Sequence, residues 1–351
     1  MTDQQLSSAQ QPSSGTAAAT MTGMAQERYG PAPEDVLRIA ELAKPAIAEG
    51  QVLVRVRAAS VDRGTWHVMA GLPYPIRLAG FGFRRPKYAN PGRALAGTVE
   101  AVGAGVSGFS PGDPVFGIGQ AAFAEYALAP VGKVAAKPAT LSFAQAAAVP
   151  ISGLTALQAV RDHGRIQPRE RVLIIGASGG VGSFAVQLAK SADAEVTGVC
   201  STGKVDEVRA LGADHVIDYT REEVTDGRRR YDVILDIGGN RPLSKLRRAL
   251  TPRGRLVIVG GENGGRWLGG TDRQIRARLL SIFVRQQLGT FINKENAPDL
   301  ITLREMIEAG TLTPAVDRTY PLADVPAAIR YLLDGHARGK IAIAVRYEDA
   351  F

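Results

Sequence analysis

Apolar and basic side chains alternate along Val52-Leu53-Val54-Arg55-Val56-Arg57-Ala58, the period-two signature of a half-buried strand. Residues 95–102 repeat that pattern and run into Gly103, Gly105, Gly108 and a Pro111-Gly112-Asp113 turn; 123–128 reads as a further strand. The stretch 71–92, rich in Pro, Gly and Arg, has no clean period and predicts an irregular loop of the kind that forms lids. From about residue 151 the rhythm changes. Val172-Leu173-Ile174-Ile175 is an unbroken apolar run, as in a strand buried on both faces. A helical pattern covers 181–191, then come a strand at 195–199 and a short helix ending near Gly212. Strands at 216–219, 231–237, 255–259 and 288–292 complete six, and their alternation with helices predicts a parallel, doubly wound sheet. Beyond about residue 297 the pattern gives a helix (300–309), a strand (316–320), a helix (325–334) and a last strand (340–345). That last strand can return to the first sheet, because chain ends often meet around an inserted domain. The fold class is α/β, with a strand-rich domain from 24–150 plus 297–351 and an inserted domain from 151–296.

Composition narrows the classes. A chain of 351 residues, 45% apolar and 22% charged, suits two soluble domains with a sizeable core. No apolar run reaches the length of a bilayer span, so no membrane partner is expected. Residues 1–23 lack the basic start and apolar block of a signal peptide and read as a disordered tail, with Met24 opening the ordered chain. The net charge of +8 raises nucleic acid as a partner. Lys and Arg are scattered, however; the densest run, Arg228-Arg229-Arg230, follows Asp226 in a loop, and no aromatic-basic RNA motif appears, which argues against it. Cys200 is the single cysteine, which excludes intramolecular disulfides and Cys-rich zinc sites and points to a reducing, cytoplasmic compartment.

The chemistry concentrates in Gly176-Ala177-Ser178-Gly179-Gly180-Val181-Gly182, directly after a buried strand and at the mouth of a helix. Gly176 and Gly179 suit a tight turn approached by a pyrophosphate, and Gly182 lets helix and strand pack closely. The N–H groups of the helix start would face the phosphates, with the Ser178 hydroxyl as a further donor. The second strand ends in Cys200-Ser201-Thr202-Gly203-Lys204, without the Asp or Glu that accepts from an adenosine 2′-hydroxyl. Two hydroxyls and an ammonium there favour a 2′-phosphate, hence NADP(H) over NAD(H).

The run from Ala147 through Gly153-Leu154-Thr155-Ala156, the segment 172–190, and Leu211-Gly212-Ala213-Asp214-His215-Val216-Ile217-Asp218-Tyr219 together resemble the medium-chain dehydrogenase/reductase superfamily. The resemblance is to its zinc-independent quinone oxidoreductase branch, related to zeta-crystallin and enoyl reductases, and covers about 24–345. It implies a GroES-like β-rich catalytic domain with an inserted Rossmann cofactor domain, a nicotinamide in the cleft between them, and a homodimer formed near 288–292. By position, Gly176, Ala177, Ser178, Gly179, Gly180 and Val181 would hold the pyrophosphate. Ser201, Thr202, Lys204 and Tyr219 would surround the 2′-phosphate, and Thr155 and Gly260 would face the nicotinamide.

Zinc-dependent relatives use Cys and His ligands, whereas here one cysteine and four scattered histidines (67, 163, 215 and 336) show no ligand spacing. No metal is expected. Metal-free hydride transfer suits a quinone or an α,β-unsaturated carbonyl, whose conjugated oxygen spreads the developing charge. Candidate catalytic residues lie in Asp62-Arg63-Gly64-Thr65-Trp66-His67, namely Asp62, where relatives commonly carry Asn, and His67. Ala94 is a second departure, at a position usually acidic. Alternative readings are an NADP-dependent aldehyde or ketone reductase, and an NADPH-binding sensor or RNA-binding protein without turnover.

Overall fold

The computed structural model describes residues 19–225, 229–239, 241–260 and 265–346, without the side chain of Leu268. Strands β1 (Thr20–Ala25) and β2 (Arg38–Ala43) form a two-stranded antiparallel sheet, with Met24 opposite Ile39. The first domain's main sheet is built from β3 (Gln51–Val61), β4 (Ala94–Val102), β5 (Pro114–Ile118), β6 (Tyr126–Pro130) and β7 (Val134–Ala136). A second sheet holds β8 (Arg171–Ile175), β9 (Glu195–Cys200), β10 (His215–Asp218), β11 (Tyr231–Asp236), β12 (Leu250–Ile258) and β13 (Gln287–Thr290). The chain then returns through β14 (Val316–Pro321) and β15 (Lys340–Ala344) to the first sheet, where Ile341 pairs with Val61 and Ala342 with Ser60. The order there is β14-β15-β3-β4-β5-β7, with β6 also on β3.

The second sheet is wholly parallel, in the order β10-β9-β8-β11-β12-β13. The chain reverses direction of travel between β8 and β11, which opens a crevice at the strands' carboxyl ends. The apolar run of β8 fits this position: Val172, Leu173 and Ile174 are fully buried between layers of helices. The expected fold class is the one observed.

Several boundaries differ from the sequence expectation. Ordered structure begins ahead of Met24, because β1 gains its backbone partners from β2, a strand without clear alternation. The remainder of the expected tail, 1–18, lies outside the described residues, as does Arg228 of the arginine run. The strand expected at 123–128 starts at Tyr126, since Ala122–Ala124 turns to bridge Gly23 instead. Loop 71–92 is irregular apart from one wide helical turn, Arg77–Phe81, broken by Gly80 at φ +96°.

One apolar core runs through both sheets. Phe116 and Ala342 of the first sheet and Val172 of the second share it through Leu154 and Ala156 of the helix Pro150–Gln158. Polar ties reinforce the junction. Glu295, after β13, accepts from Arg93 Nη2 (2.6 Å) and Lys133 Nζ (2.8 Å). Burial raises the Glu295 pKa, but the Arg93 and Lys133 charges outweigh it and hold the carboxyl below its ordinary 4.5. A depressed carboxyl adds stability above its unfolded-state pKa and loses it as pH falls through the folded one. Glu295→Gln should therefore cost about 2 kcal/mol at pH 7, a deficit that narrows below about pH 4.5. Urea unfolding followed across that range checks it; a deficit independent of pH would contradict the assignment.

Candidate functional site

β8 ends at the crevice, and the chain turns there at Gly176 with φ +87°, a conformation open to glycine. The N–H groups of Gly176 and Ala177 donate to the Val199 carbonyl of β9 at 3.2 and 3.0 Å, pinning the turn to the sheet. The helix Gly180–Ser191 follows with Gly179 as its N-cap and no side chain capping it, so its first-turn N–H groups keep their positive end for a ligand. Gly182 is packed so tightly that a Cβ would lie 2.1 Å from the Gly176 carbonyl oxygen. The loop also meets the C-terminal strand, since Gly339 N–H donates to the Ser178 carbonyl at 2.8 Å.

Beside this loop lie the ends of β9 and β10. Lys204 Nζ donates to the carbonyls of Gly335 (2.9 Å) and Ala337 (2.7 Å), and burial lowers its pKa against the opposing charge of Glu207. Ser201 is half-buried and Tyr219 is 54% exposed, so both are within reach of a ligand in this corner. Thr202 is committed otherwise, with its hydroxyl donating to Asp218 Oδ2 at 2.6 Å. Asp218 corrects the expectation of a corner without a carboxylate. Parallel pairing sets it opposite Cys200, but it is buried, and Thr220 supplies two further donors at 2.9 and 2.7 Å. Those bonds, led by Thr202, hold its carboxyl below the ordinary range. Arg338, paired with Glu207 beside Gly203, adds a guanidinium to the corner from the chain's far end. Neither residue was legible as a neighbour in the sequence. Burial, aided by Asp218 and Glu207, pushes the Cys200 thiol up to about 11, which removes it as a nucleophile.

The two residues expected to be catalytic, Asp62 and His67, have different surroundings in the structure. Asp62 caps the helix Arg63–Ala70: its Oδ1 accepts from Thr65 N–H at 3.0 Å, and Thr65 Oγ1 accepts in return at 3.3 Å. Asp62 Oδ2 is buried, 3.9 Å from Nζ of Lys340, which is itself buried and donates to the Val61 carbonyl at 3.0 Å. Burial pushes the Lys340 pKa down, and the Asp62 charge resists. Ala94, in β4, is buried opposite Ile118. Thr155 donates to the Ile151 carbonyl at 2.7 Å, and Gly260 packs its backbone on Ile237.

His67 instead lines a cavity of about 570 Å³ between its own helix, the loop after it and Gly265–Gly269. Its Nδ1 is 2.8 Å from the Leu72 carbonyl, which can only accept, so Nδ1 carries a proton. Arg63, Arg77 and Arg266 line the same space with Tyr29 and Tyr74, and among the described residues no carboxylate does. The Tyr29 hydroxyl donates towards the Phe81 and Gly82 carbonyls, and burial raises its pKa, so it stays protonated. Tyr74 N–H bonds the Arg266 carbonyl (3.0 Å), and its ring meets Trp267 edge-on at 5.0 Å, closing one wall. The glycine loop does not line this cavity. Asp62 and Lys340 stand between the two, with the Lys340 stem against Gly180.

Two family models match the chain, the alcohol dehydrogenase GroES-like domain over residues 48–139 and the zinc-binding dehydrogenase over 211–343. NAD(P)H oxidoreductase RTN4IP1, mitochondrial, of Homo sapiens is 32% identical over 361 residues, covering 91% of this chain and 88% of that one. Quinone-oxidoreductase homolog, chloroplastic, of Spinacia oleracea is 30% identical over 322 residues, 88% and 94%. Among solved structures, the quinone oxidoreductase from Coxiella burnetii has a TM-score of 0.79 at 26% identity, covering 93% of this chain and 100% of that one. The CurK enoyl reductase has 0.78 at 25%, covering 92% and 99%. Among the described residues no three His, Cys, Asp or Glu side chains gather, and the only cysteine is buried in the second sheet.

Proposed function

Because the chain belongs to the medium-chain dehydrogenase/reductase superfamily of oxidoreductases, we propose that it uses NADPH, without a metal, to reduce a quinone or an α,β-unsaturated carbonyl. The observation that carries this is the cavity beside His67, lined among the described residues by three arginines and by the aromatic rings of Tyr29, Trp66 and Tyr74. When bound, NADPH would supply a hydride. The crevice residues Gly176 to Val181 would hold its pyrophosphate, Ser201, Lys204 and Tyr219 its 2′-phosphate, and Thr155 and Gly260 its nicotinamide half. Arg63, Arg77 and Arg266 would offset negative charge developing on the acceptor's oxygen, and the aromatic walls would hold it flat. With Nδ1 protonated against Leu72, a neutral His67 has Nε2 as an acceptor, and an imidazolium would have it as a donor. A second copy would extend the parallel sheet at β13, an edge strand followed by the exposed Ile292.

NADPH oxidation at 340 nm across quinones, enones and simple aldehydes tests the reading. Activity confined to conjugated acceptors is expected; saturable NADPH binding with no turnover on any acceptor would overturn it. Lys204→Ala should raise Kd for NADPH about tenfold and leave NADH within about twofold, since only the former carries the 2′-phosphate. An NADH Kd at or below that of NADPH in the unaltered protein would sink the cofactor assignment.

A further inference from the structure

Lys340 opens the last strand, β15, and is buried although it carries a charge. On one side it meets the glycine loop. A Cβ on Gly180 would lie 2.8 Å from Lys340 Cδ, so the aliphatic stem fills the space beside the first residue of the helix Gly180–Ser191. The residue before it is tied to the same loop by backbone. Gly339 bridges Gly179 in parallel, and its N–H donates to the Ser178 carbonyl at 2.8 Å. Lys340 N–H donates to the Ala315 carbonyl at 2.8 Å, so the backbone of this contact is fixed as well.

At its other end Lys340 meets the close of β3. Its Nζ donates to the Val61 carbonyl at 3.0 Å and stands 3.9 Å from Asp62 Oδ2. That oxygen is buried with no hydrogen-bond partner among the described residues, a charge that an ammonium at this distance offsets. The second oxygen, Oδ1, caps the helix Arg63–Ala70 by accepting from Thr65 N–H at 3.0 Å. Arg63, Trp66, His67 and Ala70 of that helix line the 570 Å³ cavity. A short series of contacts therefore runs from the phosphate loop through Lys340 and Asp62 to the wall of the acceptor cavity. None of Ser178, Gly179, Gly180, Gly339, Lys340, Val61, Asp62 and Thr65 is exposed, so solvent does not interrupt it.

We propose that Lys340 is a positioning residue that couples the two sites: order imposed on the glycine loop passes through its stem and ammonium to Asp62, and so to the helix that carries His67. A loop held in place holds the stem against Gly180. The stem in turn keeps the ammonium beside Asp62 Oδ2 and the cap on Thr65 intact. An acceptor then meets a wall that is already ordered and binds at a smaller entropic cost. By reciprocity, an occupied cavity tightens the loop's hold on its ligand by the same factor. The relay rests on the proposed function for the identity of that ligand, NADP(H), but it is read without hydride transfer, so its failure and that of the redox reading are distinguishable.

Hydrogen exchange of the full chain, with and without saturating NADP+, tests the relay. NADP+ should slow exchange of the amides at 67–70 about fivefold and leave the β1–β2 sheet unchanged. In Lys340→Met, and in Asp62→Asn, which keeps an oxygen for Thr65, that ratio should fall below about twofold. A lysine of purely structural importance would speed exchange with and without NADP+ alike and leave the ratio intact, which overturns the proposal. So do amides at 67–70 that ignore NADP+ in the unaltered protein, or a slowing shared equally by β1 and β2, the mark of global stabilisation. Quenching of tryptophan fluorescence by 9,10-phenanthrenequinone gives a second readout, since Trp66 lines the cavity. NADP+ should lower the quinone's Kd about fivefold in the unaltered protein and less than about twofold in either variant. Equal coupling in all three proteins overturns the relay, whereas absence of turnover on every acceptor overturns the redox reading alone.

Discussion

Valine at position 182 should abolish measurable NADPH binding and destabilise the protein by about 3 kcal/mol or more. The first carbon of any side chain there falls 2.1 Å from the Gly176 oxygen and 2.8 Å from the Ala177 backbone, and neither neighbour can rotate away. Gly176 is held by its left-handed turn and by its bond to Val199, so the strain must open the junction of β8 with the helix Gly180–Ser191. That opening would withdraw the first-turn N–H groups from the phosphates. Gly179→Ala makes the informative contrast. Gly179 has an ordinary φ of −84°, and its Cβ would meet only the Gly176 oxygen, at 3.4 Å. The protein therefore tolerates a methyl there, and the space it fills is the space a phosphate would approach. Gly179→Ala should leave Tm within about 2 °C and still raise Kd for NADPH by about tenfold. Fluorescence titration and thermal unfolding separate the two roles; unchanged affinity in Gly179→Ala would remove the loop from the cofactor site.

Legibility in the sequence followed the way each feature is stabilised. The strands of the parallel sheet are buried on both faces, so runs such as Val172-Leu173-Ile174-Ile175 announce themselves without knowledge of partners. Likewise, the glycine loop is a local device, legible from spacing. β1 and β2 were not, since they are held by each other's backbone and carry mixed side chains. The helix Thr271–Ser281 escaped because its apolar spacing describes an outward face, whereas periodicity is ordinarily read as a route to the core. Within the site, the decisive neighbours come from distant segments. Asp218 reaches Thr202 only through parallel pairing of β9 and β10, and Arg338 and Lys340 arrive from the last turn and strand of the chain. Asp62 was visible as a departure from relatives, but its work as a helix cap needed the position of Thr65 to be seen in space.

Lys340→Met is expected to cost about 3 kcal/mol at pH 7 and to weaken NADPH about tenfold. Its ammonium is the donor to the Val61 carbonyl and lies 3.9 Å from the buried Asp62 Oδ2, while its stem packs against Gly180 of the phosphate loop. Methionine keeps the stem and strands both acceptors. Asp62→Asn retains an oxygen to cap Thr65 and removes the charge, so the double variant should recover about 1–2 kcal/mol of the loss. The pH dependence distinguishes burial from pairing. Burial is the stronger influence on Lys340 and places its folded-state pKa below the ordinary 10.5. The unfolded chain then binds the proton more tightly, so this residue's contribution to stability is smallest below the folded pKa and grows as pH rises towards 10.5. The stability gap between the unaltered protein and Lys340→Met should therefore widen between about pH 7 and pH 9.5 in urea titrations. A gap that stays flat over that range and narrows only above about pH 10.5 would mean that Asp62 outweighs burial and holds the ammonium, which would turn a strained buried cation into a true ion pair across the site.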